Sequence, residues 1–272
     1  MARFIVVPQW QGSPSTRAMA LIDGADAILG DLPSAASTRI EVPYEAGESL
    51  ETGVLRASTL RRIFRQLTEE LEGFGASERL LVIGGDGGVA VPAIGHAASD
   101  DTAVVWFDAH AALHSADTSP TGAYEGMALR AALGDGAEGL TLPRGSVAPE
   151  RVVLAGARAV DDAEQDYIDA SGIQTLAGTS DLDVASAVAR TGASRVFVHV
   201  DLDVLDPAHI AGVSDAQPFG LAPAALIEEI AALRERFDLV GASLTGFAPH
   251  APADAVEDLG VILRLIGALA KA

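Results

Sequence analysis

The chain has 272 residues, 49% hydrophobic and 21% charged, enough for a full apolar core and against intrinsic disorder. A formal net charge of −20 argues against a nucleic-acid or anionic-membrane surface, since both need clustered Lys and Arg. With no cysteine, disulfides, thiolate zinc sites and thiol catalysis are excluded. No basic, apolar leader opens the sequence, and no apolar run approaches the ~18–20 residues of a membrane span. A soluble, cytoplasmic protein is expected.

In chain order, residues 4–7 (FIVV) read as a first strand. Residues 57–73 carry Leu60, Ile63, Phe64, Leu67 and Leu71 at helical spacing, with Ser58 and Thr59 as candidate caps. Residues 80–83 form a strand stopped by Gly84-Gly85-Asp86-Gly87-Gly88. The next strand, residues 103–107 (AVVWF), ends on Asp108. Residues 151–154 (RVVL) are another, closed by Gly156 and followed by a helix over 161–171. Residues 195–200 (RVFVHV) have the pattern of a buried central strand and run into Asp201. Residues 223–236 start a helix on Pro and carry the stripe Leu226, Ile230 and Leu233. A late strand over 239–244 and a helix over 259–270 close the chain. Residues 134–149 are loop-like but too short to force a boundary, so one domain over 1–272 is expected. Strands bounded by Gly or Asp and separated by helices imply a parallel sheet with right-handed crossovers. Ligands then gather at the strands' carboxyl ends.

Three segments carry chemistry. The glycine loop 84–88 lacks the Lys and Ser/Thr of a phosphate-binding P-loop and the spacing of a dinucleotide fingerprint, so a tight strand-end turn is the simpler reading. Asp108 and His110 lie two apart at a strand end and so face the same side, which suits two ligands on one cation. A capping Asp with a hydrogen-bonded His fits the same pattern. Asp201 and Asp203 alternate at the end of a very apolar strand, where two like charges repel unless a cation lies between them. A solvated acidic turn is the alternative.

Together the segments resemble the arginase–agmatinase–formiminoglutamase (ureohydrolase) family, from about residue 80 to residue 249. Its motifs GGDH, DAHxD and S-x-D-x-D-x-x-D-P appear here as GGDG, DAHAA and H-V-D-L-D-V-L-D-P. Residues 156–164 (GARAVDDAE) are similar to its G-x-R-x-x-D-x-x-E stretch, and Glu125-Gly126-Met127 falls where it has H-G-M. The resemblance implies an α/β, three-layer α/β/α fold with a mostly parallel sheet of about eight strands. It implies hydrolysis of C–N bonds in linear amidines, with manganese activating water.

Carried over residue by residue, Asp108, His110, Asp201 and Asp203 match the ligand set of one of the family's two metals. Gly87 and Ala112 stand where the other metal's His and Asp belong. One divalent ion, manganese by the family's habit, is therefore expected rather than two. Glu125 replaces the proton-shuttling His, and Gly246 falls where the guanidinium-clamping Glu belongs. His114 replaces an Asn near the substrate carboxylate, and His199 the Ser before the paired Asps. Asp161 and Glu164 match the residues that hold a substrate amino group. His199 shares strand phase with Asp201 and Asp203, which would let it face the same pocket, and Glu125 or His199 would then transfer protons; for His199, His114 and Glu125 alike, a hydrogen-bonded polar side chain is the alternative. His96, His209 and His250 are assigned structural roles. The expected ligand is a small guanidino or amino-acid-like compound, and the resemblance implies a homo-oligomer, trimer or hexamer. A catalytically inactive ligand-binding or regulatory protein is the competing reading.

Overall fold

Strands that are apolar at nearly every position must be covered on both faces. The computed structural model describes residues 2–75, 78–178 and 182–271. Its strands are β1 (Arg3–Val7), β2 (Ser37–Arg39), β3 (Leu80–Gly84), β4 (Thr102–Phe107), β5 (Val152–Ala155), β6 (Gln174–Leu176), β7 (Arg195–Asp201) and β8 (Asp238–Thr245). They form one parallel eight-stranded sheet in the order β2-β1-β3-β8-β7-β4-β5-β6. The helices are α1 (Ala20–Asp31), α2 (Ala57–Glu72), α3 (Ala90–Ala97), α4 (Ala128–Ala132), α5 (Asp162–Ser171), α6 (Val184–Arg190), α7 (Pro223–Arg236) and α8 (Ala255–Ala270).

Period-two alternation sends successive strand residues into two separate cores. Val6, Ile83, Val105, Phe107, Val198 and Leu244 pack on one face with α1, α6, α7 and α8. Ile5, Val82, Val104, Trp106, Leu154 and Phe197 pack on the other with α2, α3, α4 and α5. This is the three-layer α/β/α architecture. Among the described residues no helix is long and apolar enough to cross a membrane.

Several local expectations change. Ser58 and Thr59 do not cap α2: the helix follows Arg56, which has a left-handed backbone at φ 58, and Ser58 Oγ accepts the Glu48 N–H instead. α8 begins at Ala255, four residues before the expected 259. Helices α1, α3, α4 and α6 and the three-residue strands β2 and β6 were not anticipated. In α3, Pro92 sits in the first turn, where no intrahelical donor is missed.

Register positions the site. Phe107 pairs with Val200 and Trp106 with His199, so Asp108 and Asp201 leave β4 and β7 side by side. Asp201 pairs with Thr245 on β8, and Gly246 follows, its N–H donating to the Gly85 carbonyl at 2.9 Å. The carboxyl ends of the four central strands thus converge.

Candidate active site

Each acidic group at this convergence is held by neighbouring donors. Asp108 Oδ2 accepts the Trp106 indole N–H at 2.9 Å, and Oδ1 the His110 backbone N–H at 2.7 Å. Asp203 Oδ1 accepts the Ala109 N–H at 2.9 Å, while Oδ2 lies 2.7 Å from His110 Nδ1. His110 Nδ1 is 3.5 Å from Asp108 Oδ1, and Nε2 is 3.2 Å from Asp215 Oδ2. One ligand atom from each of Asp108, His110 and Asp203 lies within 4.8 Å of the other two. Asp201 borders the same cavity but falls outside that tightest group. Its Oδ1 accepts the Asp203 N–H at 3.1 Å and its Oδ2 the Thr245 hydroxyl at 2.7 Å.

Burial, then the charge of Asp203, lifts the Asp201 carboxyl to about 7. Burial and Asp108 lift Asp203 to about 6, and burial raises Asp108 as well. Burial opposes charge on His110, but its hydrogen bonds to Asp108, Asp203 and Asp215 prevail and hold its pKa well above the imidazole range. Arg158 is close, yet its guanidinium is engaged by the carbonyls of Asp203, Gln217 and Pro218, at 2.7, 2.9 and 3.0 Å. Three crowded carboxylates, with one imidazole hydrogen-bonded to two of them, suit a divalent cation. Carboxylate and imidazole donors together fit a manganese-like ion.

The cluster forms part of the wall of a cavity of about 490 Å³. Glu125 also lines it, accepting the Ser13 hydroxyl at 3.2 Å. Burial first, then the charges of Asp86 and Asp201, push the Glu125 carboxyl well above its usual range. His114, Asp161 and Glu164 form a second group on the wall, again with ligand atoms within 4.8 Å of one another. His114 Nε2 lies 3.3 Å from Asp161 Oδ2 and 3.9 Å from Glu164 Oε2. Asp161 and Glu164 are also the capping box that starts α5, so the helix start fixes both carboxylates.

His199 does not line this cavity, against expectation. It is fully buried, its Nδ1 2.8 Å from Ser243 Oγ and its ring centroid 3.7 Å from that of Trp106, with the two planes tilted by 31°. Burial lowers its pKa to about 3, so the ring is neutral. Sharing a face with Asp201 left it one layer deeper, in the row Trp106–His199–Ser243 beneath Asp108–Asp201–Thr245.

Gly87, Ala112 and Gly246, where the resemblance expects a His, an Asp and a Glu, differ in space. A Cβ at Gly87 would meet nothing within 4 Å. Ala112 has φ 54, a left-handed backbone. At Gly246, with φ +89, a Cβ would lie 2.2 Å from Asp201 Oδ1. Asp215 and Ser13 escaped the sequence reading; both lie in loops without a motif, and no periodicity marks them.

The family model described as "Arginase family" matches residues 20–263. Arginase of Bacillus subtilis is 36% identical over 145 residues, 49% of each chain. Arginase of Bacillus caldovelox is 30% identical over 198 residues, 68% of this chain and 64% of that protein. The chain thus spans about half to just under two thirds of the length of these curated relatives. In fold, it is similar to Entamoeba histolytica arginase, solved in complex with L-ornithine, at a TM-score of 0.85 with 19% identity and full coverage of both chains.

Proposed function

The chain belongs to the arginase family, and from that premise we propose that it hydrolyses C–N bonds in linear amidines, guanidino or formimino compounds, using one divalent ion of the manganese type. The observation that carries this reading is the group Asp108, His110 and Asp203, with Asp201 beside it, open to a cavity large enough for a small substrate. These four residues would hold the ion, which when bound supplies a Lewis acid and lowers the pKa of water.

The chain's own groups complete the proposal. Glu125 Oε1 is taken by Ser13, which leaves Oε2 to give a proton to the departing nitrogen. A buried carboxyl with a raised pKa is suited to that transfer near neutral pH. Asp161 and Glu164 hold the amino end of the substrate, and His114, 3.3 Å from Asp161 and 3.9 Å from Glu164, orients that same end. A homo-oligomer in the cytoplasm, trimeric or hexameric, belongs to the same proposal.

One observation favours a second reading, an inactive ligand-binding or regulatory protein: Gly246 carries no carboxylate to clamp a guanidinium, and its backbone at φ +89 strains any side chain placed there. Steady-state assays with manganese on a panel of guanidino and formimino compounds decide between the two. Turnover of at least one compound, lost in Glu125→Ala, supports the hydrolase. Arginine and agmatine should fall below roughly 1–10³ s⁻¹, the range of ordinary enzymes. No turnover of any compound supports the second reading.

A further inference from the structure

Every ligand histidine has a second ring nitrogen, and its partner decides which nitrogen is free for a metal. In His110 the two nitrogens face different groups. Nδ1 faces the buried oxygens of Asp203 and Asp108, at 2.7 and 3.5 Å. Nε2 faces Asp215, with Oδ2 at 3.2 Å.

We propose that Asp215 is a positioning residue for the cation site: its carboxylate holds the Nε2–H of His110 and so keeps Nδ1 as the metal-binding atom. The inference rests on the proposed metal site. Asp215 is itself held in place. Gln217 Nε2 donates to Asp215 Oδ1 at 3.0 Å, which leaves Oδ2 for the histidine. Arg158 donates to the carbonyls of Gln217 and Pro218 on the Asp215 loop, at 2.9 and 3.0 Å. The same guanidinium donates to the Asp203 carbonyl at 2.7 Å. One arginine therefore ties together the two segments that flank the His110 ring. A carboxylate in this position fixes the tautomer and the ring orientation and raises the basicity of the ligating nitrogen.

The Asp215 side chain is 64% exposed, so its removal should leave the fold intact. Manganese affinity by calorimetry and thermal unfolding of the metal-free protein are measured for wild type, Asp215→Ala and Asp215→Asn. Asp215→Ala should bind manganese about 10–100-fold more weakly, as removal of such partners generally does. Its unfolding temperature should match wild type, and Asp215→Asn, which keeps an acceptor oxygen, should restore most of the affinity. Unchanged affinity in Asp215→Ala, or an equal loss in Asp215→Asn, overturns the proposal. A second readout needs no metal: the slowly exchanging His110 Nε2–H, assigned by its loss in His110→Gln, should be present in wild type and absent in Asp215→Ala. If wild type binds no manganese, the proposed function fails, and the ring proton still decides this inference: its persistence in Asp215→Ala overturns it.

Discussion

Asp86 shows how one buried carboxylate couples the stability of the fold to pH. It accepts hydrogen bonds from Gln9 Nε2, Gly12 N and Gly88 N at 2.8, 2.8 and 2.9 Å, yet burial outweighs them and lifts its pKa to about 6. Because the folded value lies above the unfolded one, the native state binds this proton more tightly. The group's contribution to stability is greatest at low pH and is lost as pH rises from about 4 through 6. Asp86→Asn cannot ionise, so its stability relative to wild type should improve by about 3 kcal/mol across that window. Urea melts at several pH values check this, and a difference that does not change with pH would contradict it. Trp106 offers a second test: Trp106→Phe leaves buried Asp108 Oδ2 without its donor, a loss of about 1.5–3 kcal/mol. At this scale, the sequence revealed what lies at strand ends. Asp108, His110, Asp201 and Asp203 stand where apolar runs stop, and alternation sends them to one side. Alternation says nothing of depth, which is why His199 was expected in the cavity and lies beneath it. Asp215 reaches His110 from a loop twelve residues beyond Asp203, and no local pattern encodes that return.

Among elements, the glycines at two strand ends make opposite predictions. Gly87 follows β3 into open space, so Gly87→His should fold normally. Combined with Ala112→Asp, it should raise manganese stoichiometry from one toward two, since Asp tolerates the left-handed backbone at φ 54. Gly246, after β8, strains any side chain at φ +89: Gly246→Ala should lower the unfolding temperature, the more so because its Cβ would meet the Asp201 carboxylate. A Gly246→Ala protein as stable as wild type would contradict the account. The central strands β3, β4 and β7 were legible because each is mostly a run of Val, Leu, Ile or Phe buried on both faces. Strands β2 and β6 were not: each has three partly exposed residues at a sheet edge, with no apolar run to announce it. Helices α4 and α6 have five and seven residues, too short for a periodic stripe to register.

At the scale of the whole molecule, a chain of net charge −20 concentrates buried carboxylates where its four central strands end. Bringing Asp108, Asp201 and Asp203 together costs stability unless a cation offsets their repulsion, so folding and ion binding are linked. Manganese at 100 times its dissociation constant should stabilise the fold by about 2.7 kcal/mol, seen as a rise in unfolding temperature. The central claim is that one complete ligand set survives and holds one ion. Calorimetric titration of metal-free protein with manganese tests it most directly. The account predicts a stoichiometry of one per chain, abolished by Asp203→Ala and retained in Glu125→Ala; two ions per chain, or none, would contradict it.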